Sequence, residues 1–192
     1  HNSLLKDFKK NNYDISYYYG CYRDLDRYDK FLKTNEVDKI FIPEQGNVDE
    51  EIYSLMRENN RWGIDDKELF DIVVRDRQSS DNDKPFVDIV MTLSTHEPFI
   101  ILEGQEKYEQ KAREIFEKAN VKNTKEKNII QKNMNVFACY LYMDECINEL
   151  INSYKRMGKY DNTIFIITGD HRMGMLNTGS TLRSFNVPLL IH

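Results

Sequence analysis

The chain has 192 residues, with 27 Lys and Arg against 32 Asp and Glu, for a formal charge of −5. A content of 40% hydrophobic and 12% aromatic residues is enough for a packed core and excludes a disordered tail or linker. The mild acidity excludes a dedicated nucleic-acid binder, which would carry a basic face, and no apolar run approaches the roughly 20 residues of a membrane helix.

Residues 3–11 read as a helix, with Leu4, Leu5 and Phe8 at helical spacing and Ser3 placed to cap it. Residues 13–19, rich in Tyr and Ile, read as a strand ending at Gly20. A second helix is predicted over 24–33, with Leu25, Tyr28, Phe31 and Leu32 on one side. A short strand follows over 39–42, closed by Pro43, and the polar stretch 47–61 reads as partly helical. Asp65 then starts a helix: it caps, Glu68 stands three residues later, and Leu69, Ile72 and Val73 form the apolar side. After a polar break at 79–84, residues 85–93 are almost continuously apolar, as in a strand buried on both faces of a parallel sheet.

A solvated connection leads to a helix over 108–119, and 120–127 reads as a polar loop. One long helix is predicted over 129–157, because Val136, Phe137, Tyr140, Ile147, Leu150, Ile151 and Tyr154 recur at three and four. Gly158 stands where a left-handed residue ends such a helix. The turn Tyr160-Asp161-Asn162 precedes a second apolar strand over 163–168. This alternation of helix and strand specifies an α/β sheet with helices on both faces. Cys21, Cys139 and Cys146 are odd in number and lack CxxC spacing, so neither a zinc knuckle nor a disulfide framework is indicated. Cys139 and Cys146 share one predicted helix, where they are expected to pack as small hydrophobes.

Two groups of chemistry-bearing residues follow the two most apolar strands. In open parallel sheets ligands bind beyond the carboxyl ends of the strands, so the location itself is informative. The first group is Ser94-Thr95-His96-Glu97-Pro98-Phe99. His96 there either meets an anionic substrate and moves a proton, or packs beside Pro98 and Phe99. The second is Gly169-Asp170-His171, where a carboxylate and an imidazole either bind a divalent ion or cap a turn.

Three segments carry a family resemblance: 62–70 (WGIDDKELF), 92–99 (TLSTHEPF) and 158–171 (GKYDNTIFIITGDH). In this order they resemble the extracellular catalytic domain of the lipoteichoic acid synthases and related sulfatase-like phosphoglycerol transferases of the alkaline phosphatase superfamily. The helix, YDNT turn, hydrophobic strand and GDH sequence is the most specific part, and the S-x-H-x-P-F motif separates this branch from typical sulfatases. The resemblance implies an alkaline phosphatase-like three-layer α/β/α sandwich, of which residues 1–192 would be a single, C-terminal part.

The same resemblance implies one divalent metal, Mn²⁺ or Mg²⁺ (alternatively Zn²⁺ or Ca²⁺), and a threonine nucleophile that attacks a lipid head-group phosphate. Asp170 and His171 match two of the metal ligands, and His96 matches the substrate-contacting histidine. The family's His-Gly-Asp and Trp-Asn-Arg are met here by Tyr19-Gly20-Cys21 and Leu25-Asp26-Arg27, so Arg27 carries over as a phosphate contact while Cys21 and Leu25 depart. Trp62, ahead of the capped helix, is either a substrate contact or a packed aromatic. No segment here matches the family's remaining metal ligand or its nucleophile.

The chain begins at His1 rather than Met and stops at His192 inside the apolar run 187–191, which reads as a strand. The expectation is a piece of a larger catalytic domain, inactive alone. Its parent would be anchored in a bacterial membrane by segments outside this chain and would work on the extracytoplasmic face. The implied partner is an anionic lipid or glycan head group. A sulfatase or phosphodiesterase of the same superfamily, and a catalytically dead relative, are the competing readings. The strands 85–93 and 163–168 are expected to run as neighbouring or near-neighbouring central parallel strands, which would place His96 close to His171.

Overall fold

A computed structural model describes residues 3–21, 28–44, 46–58, 62–80, 84–171 and 187–192. The chain divides into two compact units, His1–Leu150 and Ile151–His192.

The first unit is built on β1 (Asp14–Tyr19), which runs parallel to β2 (Lys39–Phe41) on one side and to β3 (Phe86–Met91) on the other. Tyr17 stands opposite both Ile40 and Ile89. Successive side chains of a strand point to opposite faces, and β1 uses both faces for core. Tyr18 packs with Phe41, Leu69, Ile72 and Val73, which brings α4 (Asp66–Ser79) onto one face. Tyr17 and Tyr19 pack with Leu32 and Ile42 on the other, where α2 (Tyr28–Thr34) lies. The result is helix, sheet, helix, with α1 (Leu4–Lys10) before β1 and α3 (Glu50–Glu58) packing Ile52 and Tyr53 beside α4. A third cluster joins Phe70 of α4 to Tyr108 of α5 (Glu106–Ala119) and to Ala138, Tyr142 and Cys146 of α7 (Met134–Arg156).

The local signals hold where they depend on neighbouring residues. Ser3 accepts from the Lys6 N–H, and Asp65 accepts from the Glu68 N–H, as N-caps do. Gly158 takes φ +67°, and the Lys159 N–H reaches the Tyr154 carbonyl at 3.0 Å to close α7.

Three expectations change. Residues 120–127 are not all loop: Asn123 accepts from the Lys125 and Glu126 N–H groups and starts α6 (Thr124–Lys132). Asn133 stops that helix by donating from its backbone to Ile130 O and from its side chain to Ile129 O, so the single long helix is two. β3 is half-buried along its length rather than buried on both faces, because among the described residues it is the edge of the ladder, with β1 as its partner. β4 (Ile166–Thr168) pairs antiparallel with β5 (Leu189–Ile191), Ile167 opposite Leu190.

In the second unit the end of α7 is followed by a 3₁₀ turn at Tyr160–Asn162 and the β4–β5 ribbon. Phe165 and His192 exchange backbone hydrogen bonds at 2.9 and 3.0 Å. The Phe165 ring lies 5.2 Å from Tyr154. A two-stranded ribbon leaves much of its surface uncovered, and Ile164, Ile166 and Leu189 to Ile191 are exposed. Among the described residues no helix is long and apolar enough to cross a membrane.

Candidate functional site

The carboxyl ends of β1 and β3 lie side by side, and the chain closes over them with backbone. Gly20, just past β1, donates to Met91 O and accepts from the Ile64 N–H at 2.9 Å. Cys21 and Gly63 form an antiparallel bridge. The approach is so tight that a Cβ on Gly63 would lie 1.8 Å from Gly20 O, so only glycine fits there. This contact delivers Trp62 to the mouth of the sheet.

Beyond β3 the loop folds in successive turns. The His96 N–H donates to Leu93 O at 2.9 Å, and the Phe99 N–H donates to His96 O at 3.0 Å. Phe99 is buried at φ +55°, a backbone region that costs an aromatic residue about 1–3 kcal/mol unless its surroundings hold it. Asn135 of α7 supplies part of that hold by donating to Phe99 O at 3.2 Å. His96 is exposed, its Nδ1 lies 2.7 Å from Glu97 O, and its ring sits 4.8 Å from that of Trp62. Together Trp62, Gly63, Ser94, His96, Pro98 and Phe99 line much of a cleft of about 50 Å³. Ligand pockets usually measure about 300–1,000 Å³, well above this cleft.

A carboxylate that the motifs did not single out anchors the loop. Asp66, the first residue of α4, is 0% exposed. Its Oδ1 accepts from the Leu93 N–H at 2.7 Å, and its Oδ2 accepts from the Ser94 N–H at 3.1 Å. Burial raises its pKa from 3.8 to about 6, against the pull of the Leu93 and Ser94 donors. The neighbouring Asp65 adds a smaller upward push. Asp65 itself is bridged by the Tyr142 hydroxyl at 2.9 Å. The available signal was the Asp65-Asp66 pair: one Asp caps the helix, and the second is left to accept from elsewhere.

Asp170 and His171 follow β4, with side chains about two-thirds exposed at 69% and 67%. The His171 N–H donates to Asp170 Oδ1 at 2.8 Å, and His171 Nε2 lies 3.9 Å from Asp170 Oδ2. The pair therefore makes the capped turn and still presents a carboxylate and an imidazole outward, two donors of the kind a divalent cation takes. Among the described residues no three His, Cys, Asp or Glu side chains gather around one point. Arg27 lies outside the described residues. Cys21 is buried in the bridge and faces the core with Tyr17 and Leu32. Cys139 and Cys146 are buried too, and burial pushes their thiols up to about 11 and about 12, so they pack as apolar groups.

Residues 1–192 match the Sulfatase family. A lipoteichoic acid synthase of Staphylococcus saprophyticus subsp. saprophyticus is 26% identical over 168 residues, covering 85% of this chain and 22% of the relative. The chain thus spans about a fifth of the length of such relatives. Two solved structures share its fold. A protein in the alkaline phosphatase superfamily from Vibrio parahaemolyticus superposes with a TM-score of 0.62 and 22% identity, over 100% of this chain and 41% of that one. The lipoteichoic acid synthase LtaP from Listeria monocytogenes superposes with a TM-score of 0.64 and 16% identity, over 99% and 45%. The fold is accordingly that of part of an alkaline phosphatase-superfamily domain.

Proposed function

The chain belongs to the Sulfatase family, and from that premise we propose that it is part of a metal-dependent transferase domain acting on the extracytoplasmic side of a bacterial membrane. The group moved is of the phosphoglycerol type, taken from an anionic lipid and passed to a cell-envelope acceptor. The observation that carries this reading is the S-x-H-x-P-F loop, which presents an exposed His96 against Trp62 at the carboxyl end of a parallel strand.

His96 contacts a phosphate oxygen or the leaving group, and Trp62 gives the head group an apolar wall. Arg27 is assigned to the phosphate by its match to the family motif. Asp170 and His171 supply two donors for one Mn²⁺ or Mg²⁺, and the other ligands belong to parts of the parent protein outside this chain. When bound, that cation neutralises phosphate charge and acidifies the attacking hydroxyl. The threonine that attacks is likewise assigned outside these residues. A hydrolase of the superfamily would use the same groups and deliver the phosphate to water instead of an acceptor.

The test is made in the parent protein with a labelled phosphatidylglycerol donor. Replacing His96 with Ala is expected to slow head-group transfer by about 10²–10³-fold, the usual cost of one oxyanion-stabilising donor. An unchanged rate would remove His96 from the machinery. Calorimetry with Mn²⁺ should show binding lost in Asp170→Ala, and equal affinity in both proteins would overturn the metal assignment. Release of label to water alone would favour the hydrolase.

A further inference from the structure

We infer that Asp66 is a positioning residue for this site: its carboxylate ties the start of α4 to the end of β3 and so fixes the loop that presents His96 to Trp62. The inference rests on the reading of His96 as the residue that faces substrate. The chain of contacts is short. Asp66 accepts from the N–H groups of Leu93 and Ser94. The carbonyl of that same Leu93 accepts the His96 N–H. The other ring is held at the end of β1, because Trp62 precedes the Gly63–Cys21 bridge and Ile64, which donates to Gly20 O. The Asp66 tie therefore sets where the His96 loop meets a Trp62 that is anchored at the end of β1.

A residue that merely filled this space would be apolar, since an ionised carboxyl held by neutral donors is costly to bury. What the carboxylate adds is direction: it accepts from two successive N–H groups of the loop at once. The groups that face it are Asp65 on its own helix, Ser94 on the loop, and Cys139 and Cys146 on α7. Both thiols are held neutral by burial. Protonation turns one acceptor oxygen into a donor, so the tie weakens as Asp66 takes up its proton. Burial moves that event close to pH 6.

The test needs no substrate, so it stands or falls independently of the transferase reading. Amide proton resonances of Leu93 and Ser94 are followed by NMR against pH in the 192-residue chain, its Asp66→Asn form and its His96→Gln form. Emission of Trp62, the single tryptophan, is read in parallel. The two amides should titrate together with a midpoint near 6 in the wild type and in His96→Gln, and stay flat in Asp66→Asn. In Asp66→Asn their hydrogen exchange should quicken about tenfold or more, the worth of a hydrogen bond to a charged acceptor, and Trp62 emission should shift. Amide shifts that are flat in the wild type, or that vanish with His96, overturn the inference. So does an Asp66→Asn form whose Trp62 emission and His96 ring titration match the wild type. If Asp66→Asn does not fold, the wild type against His96→Gln decides alone.

Discussion

Helix α4 carries a buried charge near each end, and the two are satisfied in opposite ways. In its last turn Arg77 forms a two-pronged pair with Asp88 of β3, Nε to Oδ2 at 2.8 Å and a terminal nitrogen to Oδ1 at 2.6 Å. The same terminal nitrogen reaches Ser16 Oγ of β1 at 2.9 Å, and the guanidinium stacks over the Phe86 ring at 4.3 Å. In its first turn, about 16 Å away along the axis, Asp66 is held by neutral donors among the described residues, the Leu93 and Ser94 N–H groups and the Ser94 side chain. The paired end lies against the first half of the strands, and it locks helix to sheet. The other end lies at the carboxyl side of the strands, and its carboxylate is addressed to the loop after β3. Burying a charge without a counter-ion leaves it sensitive to pH, as at Asp66, where burial raises the pKa of the carboxyl.

The largest effect that can break this contrast is at the paired end. Arg77→Ala removes the guanidinium from Asp88, whose side chain is 9% exposed, and should cost about 3–5 kcal/mol of unfolding free energy in urea. Replacing Arg77 and Asp88 together by Met and Leu should recover most of that loss. If Arg77→Ala costs under about 1 kcal/mol, the pair is not what fixes this end of α4.

A smaller effect sharpens the other end through pH. The Asp66 pKa rises from 3.8 to about 6 in the native state, so the folded chain holds this proton more tightly than the unfolded chain. The stabilisation is complete below about pH 4 and is lost as pH rises through about 6. At about 1.4 kcal/mol per unit, it amounts to about 3 kcal/mol. Unfolding free energies of the wild type and Asp66→Asn, compared at about pH 4.5 and about pH 7.5, should differ in slope by up to that amount. Parallel slopes would mean that Asp66 titrates like an ordinary carboxylate.

The smallest effect belongs to the exposed side of the same helix. Lys67 pairs with Asp71 at 2.6 Å, but both side chains are at least half in water. Lys67→Ala should change stability by no more than about 0.5 kcal/mol, measured by the same urea titration. A loss as large as that at Arg77 would show that burial is not what separates these charges.

Much of the frame was legible from residues close together in the chain. Ser3 and Asp65 cap as their positions require, and Gly158 turns left-handed where the helix must stop. The motif loop was legible too, since S-x-H-x-P-F marks His96 without any coordinates. The division of residues 124–156 into two helices was written locally in Asn123 and Asn133, but the apolar periodicity around them masked it. Asp66 was hidden differently. In sequence it is one more acidic residue in the first turn of a helix, where acidic residues are common and usually solvated.

What the sequence by itself determined here is the set of elements, their caps and the family motifs, because each depends on groups within a few residues of one another. What only the tertiary structure decided is which charge loses its water and which strand meets which. Asp66 and Lys67 are neighbours of opposite fate, one fully buried beneath Leu93 and Ser94, the other half in solvent. The apolar run at 163–168 became half of an antiparallel ribbon. Desolvation and strand pairing are set by residues distant in the chain that exclude water or offer a free ladder edge, and no local pattern encodes their arrival.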